Sequence, residues 1–535
     1  MLGLDTKYKL ILGGPGTGKT FLFAKVIKGL PQNTNILVIT FINNLVDDLE
    51  KQLSDILDHK IKIRTLHGFC KNFLLREIHQ YEYFPELPKI IAHDASLLGF
   101  DFKERQFSQA FINLKENNKD MRFYLSRSNY YDSASHDDAV YRVFSHLTKN
   151  DKQIPQYSHV IVDEYQDFNL LESSLIKLLA YKNKIIMAGD DDQGLYRFKS
   201  ASPEFIRALY RNHEFKSLFL PFCRRCTSVL VQAANCFISN AKKRGLLSNR
   251  IDKQFKCYWP DKFLDSKRYP LIFLKKFYAH SVVSKYIKKR ILSIVKEEKI
   301  EPTEKHEAEF LIVGPPRISH YLQDVNESLI KDEELDQNIF EIEFKKEPTK
   351  ISISDGYEFI RRDEKSNLGW RIVMFIDPID SSLEKDRNLI RKSLKGNSLI
   401  NFLPGEYIKK HRDKINRISL DKTTPQEDSS NKKIKIKLTT YLGAKGLSAN
   451  HVFVLGLEND VFPENPHSIS DDEACQFIVL LTRARRSLSL LSVKSRFDVK
   501  LRRPVDKLSS FISMIPNRLL KQEDIKASDL EKLKV

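Results

Sequence analysis

The 535-residue sequence has little cysteine and no long hydrophobic run. No stretch of about 18 uninterrupted apolar residues occurs, so the sequence predicts no transmembrane helix. Its first residues lack the basic region and the small-residue cleavage site of a secretory signal. The six cysteines are too few and too scattered for a disulfide scaffold. These absences argue against a secreted protein and a helical membrane protein, and we expect a cytoplasmic one.

Basic residues outnumber acidic ones by 88 to 70, which gives a formal charge of +18. Hydrophobic residues make up 41% and charged residues 30%, a mixture that builds packed cores and excludes a wholly disordered or fibrous chain. The length allows about three or four domains of ordinary size. The positive excess favours a polyanionic partner but does not identify it.

A glycine-rich turn lies between a predicted strand over 9–12 and a predicted helix over 21–30. Its spacing, Gly-x4-Gly-Lys-Thr, matches the P-loop, in which backbone N–H groups and a helix N-terminus surround a phosphate. We expect Lys19 to reach the β- and γ-phosphates and Thr20 to bind Mg²⁺. The predicted nucleoside triphosphate site comprises Gly13, Gly14, Pro15, Gly16, Thr17, Gly18, Lys19 and Thr20.

Two further predicted strands end in polar residues. SHVIVDEYQD (158–167) places Asp163 and Glu164 after a strand, and NKIIMAGDDDQG (183–194) does the same for Gln193. The carboxyl ends of parallel strands form the ligand-binding edge of a doubly wound sheet. Asp163 is suited to hold Mg²⁺ through water, and Glu164 to accept a proton from the attacking water. A solvated loop would explain either cluster alone, but phosphate, metal and base residues after three strands favour one hydrolytic site.

These segments resemble the motifs of superfamily 1 helicases of the UvrD/Rep/PcrA group, in the order that the family has them. The matching segments are GGPGTGKT (13–20), ILVITFINN (36–44), RTLHGF (64–69), VDEYQD (162–167), GDDDQGLYRF (189–198), RRCTSVL (224–230), TTYLGAKGL (439–447) and LLTRARRSL (480–488). Several weak patterns in the correct order are more specific than any one of them.

The resemblance implies roles for further residues of the nucleotide site. Gln193 would sense the γ-phosphate, and Gly446 would belong to the same site. Arg225 and Arg483 would be arginine fingers supplied by a second RecA-like domain, which stabilise charge on the transferred phosphoryl group. An isolated arginine in a basic stretch is usually a surface residue, so these two assignments depend on the motif context.

For nucleic acid, the resemblance implies a channel for single-stranded DNA or a tailed duplex. Phe41 and Phe198 match the positions of base-stacking aromatics, and Phe198 replaces the usual tryptophan. Taken alone, either phenylalanine is more typical of a core. The complete set of predicted DNA contacts is Thr40, Phe41, Asn43, Thr65, His67, Tyr196 and Phe198.

Three departures from the family pattern fall on recognition of the base. The segment before Gly13 offers no place for the adenine-reading glutamine, and Ser448 replaces the glutamate near the ribose. Arg224 stands where a tyrosine stacks on adenine, unless Phe222 takes that role through a local shift. We therefore expect ATP and Mg²⁺ to be used, but with loose selectivity for the base.

The predicted fold is α/β, with two RecA-like domains of parallel sheets and small, mainly helical insertions. The resemblance divides the chain into domain 1A (1–75 and 150–215), a 1B-like insertion (76–149), domain 2A (216–350 and 435–515), a reduced 2B-like insertion (351–434) and a tail (516–535).

Two functions remain open from the sequence. One is an ATP-dependent 3′–5′ DNA helicase or single-stranded DNA translocase. The other is a DNA- or nucleotide-sensing ATPase that gates a partner nuclease, because the insertions are short. The pair Cys223-x2-Cys226, with Cys236 and Cys257 beyond it, also raises the alternative of a zinc site. The lack of a second such pair, and Arg225 between the cysteines, favour ordinary thiols.

Overall fold

The computed structural model describes residues 6–31, 34–41, 46, 49–51, 53, 60–115, 118–196, 199–303, 307–316, 319–331, 335–344, 351–418, 432–494, 496–498, 503–505 and 508–532. Two parallel β-sheets flanked by helices dominate these residues. This arrangement confirms the predicted α/β class. Within the described ranges, no helix combines the length and apolarity needed to cross a bilayer.

The first sheet has six parallel strands. They are β1 (Tyr8–Gly13), β2 (Ile36–Thr40), β3 (Ile61–Thr65), β6 (His159–Val162), β7 (Lys184–Gly189) and β8 (Lys216–Leu220). Their order is β3-β2-β6-β7-β1-β8, so β1, β6 and β7 lie side by side at the centre. Apolar residues on both faces are buried, as Leu10 and Ile11 show, because helices cover both sides. The P-loop, Asp163 and Gln193 therefore follow neighbouring strands at one edge.

Helices around the first sheet position this edge. They are α1 (Lys19–Lys28), α2 (Leu66–Phe73), α7 (Leu170–Lys182) and α8 (Glu204–Arg211). Helix α2 begins where the Thr65 side chain accepts a hydrogen bond from the Gly68 N–H, and α7 begins in the same way at Asn169. The first turn of α1 carries Lys19 and Thr20 out of the P-loop.

The second sheet has seven parallel strands. They are β11 (Ile272–Phe277), β12 (Phe310–Gly314), β13 (Phe340–Phe344), β14 (Ile434–Thr440), β15 (Ala449–Val454), β16 (Ala484–Val493) and β19 (Leu520–Ile525). Their order is β13-β14-β12-β15-β16-β11-β19. The edge strand β19 comes from the segment that the sequence analysis assigns to a tail, and it pairs with β11 over six residues. That tail assignment is corrected for 520–525, because the strand completes the sheet.

Helices cover the second sheet, and short strand pairs surround it. The helices are α9 (Ser228–Lys243), α10 (Trp259–Arg268), α11 (His280–Glu298), α12 (Ser319–Ile330), α17 (Asp471–Leu481) and α18 (Ala527–Lys532). The short strands are β9 (Phe222–Cys223), β10 (Lys256–Cys257), β17 (Arg496–Asp498) and β18 (Arg503–Val505). The parallel pair β9–β10 lies at the start of this domain, just after β8.

Two mainly helical insertions interrupt the sheets. The first contains β4 (Glu82–Tyr83), α3 (Leu87–Leu97), α4 (Glu104–Ile112), α5 (Lys119–Tyr130), β5 (Ser133–Ala134) and α6 (His136–Lys149). The second contains α13 (Ile353–Arg362), α14 (Asn367–Ile376), α15 (Glu384–Ser393) and α16 (Gly405–Ile418).

A buried carboxylate joins the two insertions. Asp94 of the first accepts hydrogen bonds from Arg127 Nε at 2.8 Å and from Arg371 Nε of the second at 2.7 Å. Leu368 and Ile372 of the second insertion also belong to the hydrophobic core of the first sheet and first insertion. The second insertion therefore packs on the first domain, although its chain interrupts the second sheet.

Candidate nucleotide and nucleic-acid sites

The P-loop forms a cradle between β1 and α1. Gly16 and Gly18 have φ of 67° and 85°, a left-handed backbone that glycine adopts without strain. The loop turns tightly, and a Cβ at Gly13 would lie 2.5 Å from the Thr17 hydroxyl. Lys19 is buried, and its ammonium donates to the Gly13 carbonyl at 3.0 Å. The predicted loop residues therefore have the backbone shape and the cation that a polyphosphate needs.

Two carboxylates face this cradle from the end of β6. Thr20 donates its hydroxyl hydrogen to Asp163 Oδ2 at 3.3 Å, so the two predicted Mg²⁺ ligands are in contact. Burial and the neighbouring Glu164 charge raise the pKa of Asp163 to about 7, against the effect of Lys19. A buried carboxylate whose charge is unfavourable gains from a nearby cation. The hydroxyl and carboxylate oxygens are also the donors that Mg²⁺ prefers, so the residues fit this metal.

Glu164 is placed as a base. Its backbone is left-handed, with φ of 51°, and Gln166 Nε2 donates to its carboxylate at 2.5 Å. Burial would raise the pKa of Glu164, but the charges of Lys19, Lys445 and Arg483 and the Gln166 hydrogen bond together lower it to about 2. The carboxylate is therefore ionised at neutral pH and able to accept a proton.

The second domain supplies an arginine to the same edge. Arg483 is 2% exposed, and its Nη2 donates to Gln193 Oε1 at 3.2 Å across 290 residues of sequence. Its Nε donates to the Val479 carbonyl at 2.9 Å, which fixes the guanidinium at the end of α17. Gln193 itself donates to Asp190 at 2.7 Å. The structure thus brings Gln193 and Arg483 into contact across the two domains.

Arg225 reaches the P-loop directly. A Cβ at Gly16 would lie 2.4 Å from Arg225 Cβ and 3.4 Å from its Nε, and the Arg224 N–H donates to the Gly16 carbonyl at 2.9 Å. Burial and then the charge of Arg225 lower the pKa of Arg483 to about 9. Two guanidinium groups that repel each other beside Lys19 form a place where a polyanion is favoured. These residues fit a nucleoside triphosphate.

The surroundings of the loop also contain aromatic side chains. Phe222 is 47% exposed and lies 6.0 Å from the Tyr258 ring, centroid to centroid. The Arg224 guanidinium lies 4.1 Å from the same ring. Ser448, which stands in place of the ribose-binding glutamate, accepts a hydrogen bond from Arg485 at 3.1 Å. Phe222 is therefore the exposed aromatic of this segment, and Arg224 packs on Tyr258.

A pocket of about 560 Å³ lies beside the nucleotide edge, between the first sheet and the first insertion. Phe41, Thr65 and His67 line it, and Tyr196 packs against the Phe41 ring at 4.8 Å. Burial, His136 and Lys199 lower the pKa of His67 to about 3, so this imidazole is neutral. Three predicted DNA-contact residues thus line one opening, and Tyr196 packs against one of them.

The other predicted DNA contacts have different outcomes. Thr40 is fully buried at the end of β2 and is not part of the pocket lining, so its predicted contact with the DNA backbone needs a rearrangement. Asn43 and Phe198 lie outside the described residues. Gly446, predicted at the nucleotide, has φ of 80° and follows Lys445 at the domain contact.

Lys445 is a site residue that the sequence analysis missed. Its ammonium donates to Asp167 Oδ1 at 2.6 Å and to the Gln193 carbonyl at 2.5 Å, and it lies 5.4 Å from the Tyr196 ring. The side chain is almost fully buried. The sequence feature that could have predicted its role is its position next to Gly446 in TTYLGAKGL, where it is the single basic residue.

Next to Gln193 lies a cluster of buried ion pairs that no local sequence pattern indicates. Lys253 contacts Asp190, Asp191 and Asp192 at 2.9, 2.6 and 2.8 Å, and Arg250 adds an ion pair to Asp192 at 2.6 Å. Among the described residues these three aspartates form a group close enough to hold a metal ion, but Lys253, Arg250 and Arg207, which pairs with Asp191 at 3.0 Å, already supply three balancing positive charges. The cluster ties the end of β7 to the second domain.

Comparisons with known proteins agree with this geometry. An AAA domain model matches residues 2–199, and a UvrD-like helicase C-terminal domain model matches residues 397–495. A probable DNA helicase II homologue of Mycoplasma genitalium is 24% identical over 90% of this chain and 82% of its own length. The ATP-dependent DNA helicase Rep of Buchnera aphidicola subsp. Schizaphis graminum is 25% identical over 91% of both chains. PcrA of Staphylococcus aureus is 25% identical over 44% of this chain and 38% of its own.

The matched domains and relatives support an NTP-hydrolysing helicase, which in this chain is built on two parallel sheets. The matched domains and the named relatives support a UvrD/Rep/PcrA-like superfamily 1A helicase. None of these matches supports the alternative of an ATPase that gates a partner nuclease.

Proposed function

We propose that this chain is an ATP-dependent DNA helicase that moves 3′–5′ along a single strand. The observation that carries the proposal is the contact between Arg483 of the second domain and Gln193 of the first, beside the P-loop. An arginine that completes a hydrolytic site only when two domains meet couples hydrolysis to their relative motion. The helicase names of the relatives and the net charge of +18 support DNA as the polyanionic partner.

The proposed roles at the nucleotide follow from position and charge. Lys19, Arg225 and Arg483 bind the phosphates and stabilise the charge that develops on the transferred group. Thr20 and Asp163 hold Mg²⁺, which neutralises phosphate charge when bound. The loop of Gly13, Gly14, Pro15, Gly16, Thr17 and Gly18 supplies backbone N–H groups, and Gly446 allows the turn beside it.

Glu164 accepts the proton of the attacking water. Its ionised carboxylate meets this requirement, because a base must be unprotonated at the working pH. Gln193 accepts a hydrogen bond from Arg483, and its proposed role is to respond to the γ-phosphate. Gln166 holds the Glu164 carboxylate in position through its 2.5 Å hydrogen bond.

A short path links hydrolysis to the proposed DNA pocket. Lys445 donates to the Gln193 carbonyl and lies over the Tyr196 ring, and Tyr196 packs on Phe41. Separation of the two domains removes Lys445 from both groups at once. The nucleotide state then decides whether Tyr196 and Phe41 hold a base, with Thr65 and His67 beside the strand backbone.

Strand displacement on tailed duplexes tests the proposal. The purified chain should unwind a duplex with a 3′ single-stranded tail in the presence of ATP and Mg²⁺, and should fail on the same duplex with a 5′ tail. Glu164→Gln is the control for coupling, since it should bind ATP and DNA but hydrolyse at least about 100-fold more slowly. Equal unwinding of both substrates would contradict the polarity, and DNA-stimulated hydrolysis without unwinding would contradict helicase activity.

A further inference from the structure

Three cysteines meet at the start of the second domain. Cys223 and Cys257 are direct partners in the β9–β10 pair, and the Cys257 thiol donates to the Cys226 carbonyl at 3.6 Å. The Cys226 N–H donates to Cys223 Sγ at 3.4 Å, which closes a tight turn just before α9. This turn contains the two residues between the cysteines, Arg224 and Arg225.

The turn lies against the phosphate cradle of the other domain. A Cβ at Gly16 would lie 3.2 Å from Cys223 Sγ and 2.4 Å from Arg225 Cβ. Cys223 and Cys226 are both fully buried, and Gly16 of the P-loop is part of the cover over Cys223. A cleft that opens between catalytic cycles would therefore uncover the Cys223 sulfur.

The surroundings make the two thiols unequal. Hydrogen bonding from the Cys226 thiol is the largest cause that lowers the pKa of Cys223 to about 6, with backbone N–H groups and Arg225 acting in the same direction. The contact with Cys223 and burial raise the pKa of Cys226. This thiol stays protonated and donates to the Thr482 carbonyl at 3.5 Å. A thiolate beside a protonated partner thiol is the arrangement of an oxidisable dithiol.

The same residues do not form a metal site. The cysteines are absent from the metal-compatible groups of the part of the chain that the structure describes. Structural zinc sites need four ligands in tetrahedral geometry, whereas the trio offers three sulfurs, with Arg225 against the P-loop. Redox chemistry is therefore the better use of this cluster.

We propose that Cys223 and Cys226 form an oxidation-sensitive dithiol whose disulfide switches off ATP hydrolysis by withdrawing Arg225 from the phosphate site. The switching effect rests on the proposed function of Arg225, whereas formation of the disulfide does not. Arg225 lies within the small ring that the new bond closes, so its backbone must adjust when the two sulfurs move into bonding distance. When this turn moves, the hydrogen bond from the Arg224 N–H to the Gly16 carbonyl is also lost.

The oxidant is a peroxide, and the reaction balances. The Cys223 thiolate attacks one peroxide oxygen, the O–O bond breaks, and a sulfenic acid forms while hydroxide leaves and takes a proton. The Cys226 thiol then attacks the Cys223 sulfur, the S–O bond breaks, and water leaves with the thiol proton. Two thiols are oxidised to one disulfide, and hydrogen peroxide is reduced to two waters.

The burial of Cys223 beneath the P-loop adds a second expectation. A nucleotide that holds the cleft closed should protect the dithiol from peroxide. We expect a non-hydrolysable ATP analogue with Mg²⁺ and single-stranded DNA to slow disulfide formation at least about fivefold relative to the free protein.

The experiment treats the full-length chain with hydrogen peroxide and maps the products by alkylation and peptide mass spectrometry. DNA-stimulated ATP hydrolysis is measured before oxidation, after it, and after dithiothreitol. We expect a Cys223–Cys226 disulfide and at least a tenfold loss of hydrolysis that dithiothreitol restores. Cys236→Ser is the matched control, because Cys236 lies on α9 outside the trio, and it should keep the full response.

Cys226→Ser should remove the reversible response, whatever its own basal rate. The proposal is overturned if both thiols stay alkylatable, if Cys223 pairs with Cys257 instead, or if the mapped disulfide leaves hydrolysis unchanged. Failure of the proposed function has a different signature, because the reduced protein would then not hydrolyse ATP although the disulfide still forms on peptide mapping.

Discussion

Removal of the Asp94 carboxylate should detach the second insertion from the first. Asp94→Ala deletes the acceptor of Arg127 and Arg371, whose side chains are 2% and 1% exposed. It also deletes the acceptor of the Tyr131 hydroxyl at 2.5 Å. Two guanidinium groups then remain buried without their anion, which is the costly way to break an ionic contact.

The expected magnitude follows from this burial. Breaking a buried ion pair by removing one partner costs about 3–5 kcal/mol. For a unit of 150–250 residues, each kcal/mol shifts the melting temperature by about 2–4 °C. We therefore expect the melting temperature of the unit formed by the two insertions to fall by about 6–20 °C.

Calorimetry and limited proteolysis measure this effect. The multi-domain chain need not unfold in one step, so the transition that moves should be assigned by mapping which fragments trypsin releases. Arg362→Ala is the matched control. Arg362 joins Glu82 across the same two insertions at 3.4 Å, but both side chains are about half exposed, so its loss should cost no more than about 1 kcal/mol.

The pH dependence gives an independent check. The two arginines outweigh burial and lower the pKa of Asp94 in the folded protein. A group with a lowered folded pKa contributes full stability above its unfolded pKa of about 3.9, and loses it as the pH falls through the folded value. The wild type should therefore keep the insertions joined at pH 5. A melting temperature for Asp94→Ala within 2 °C of the wild type would refute the reasoning.

Three further predictions concern the cleft and the pocket. Lys253→Met leaves three buried aspartates without their shared cation, so ATP hydrolysis and thermal stability should both fall. The control Lys242→Met loses only an ion pair to the exposed Asp252 and should resemble the wild type in both assays. Phe41→Ala should weaken single-stranded DNA binding by about 1–3 kcal/mol in fluorescence anisotropy while ATP binding is retained, and unchanged DNA affinity would contradict the stacking role. GTP should support DNA-stimulated hydrolysis within about tenfold of the rate with ATP, a difference of about 1.4 kcal/mol. If the wild type instead uses only ATP and Phe222→Ala also accepts GTP, the exposed Phe222 ring recognises adenine.

The phosphate-binding edge of the first sheet could be predicted because the sequence patterns that indicate it are local. Gly13 to Thr20, and the carboxylates at 163 and 164, sit within a few residues of the strands that position them. The contact between Gln193 and Arg483 spans 290 residues and was not predicted; the resemblance only implied that each residue has a role at the nucleotide. Periodicity and spacing carry no information about such distant pairs.

The remaining features depend on tertiary partners that the sequence does not reveal. Asp94 looks like an ordinary helical residue until Arg371, 277 positions away, is brought against it. Likewise, residues 521–524 are four consecutive polar residues that suit a solvated tail, but the free edge of β11 gives this segment a strand to pair with. In both cases tertiary packing decides the structure, since local preference is weak.

The attachment of the second insertion to the first domain constrains how the two domains can move relative to each other. The second insertion, whose chain interrupts the second sheet, is held on the first domain at the contact of Arg371 with Asp94. The second domain is joined to the end of β7 at the cluster of Lys253 with three aspartates. Two domains that are joined by contacts at two separate points cannot slide past each other. They can only rotate about the line that joins the two contacts. If both ties survive each cycle, opening of the nucleotide cleft is a swing about a fixed axis, and the length of the step along DNA is set by the distance of the pocket from that axis.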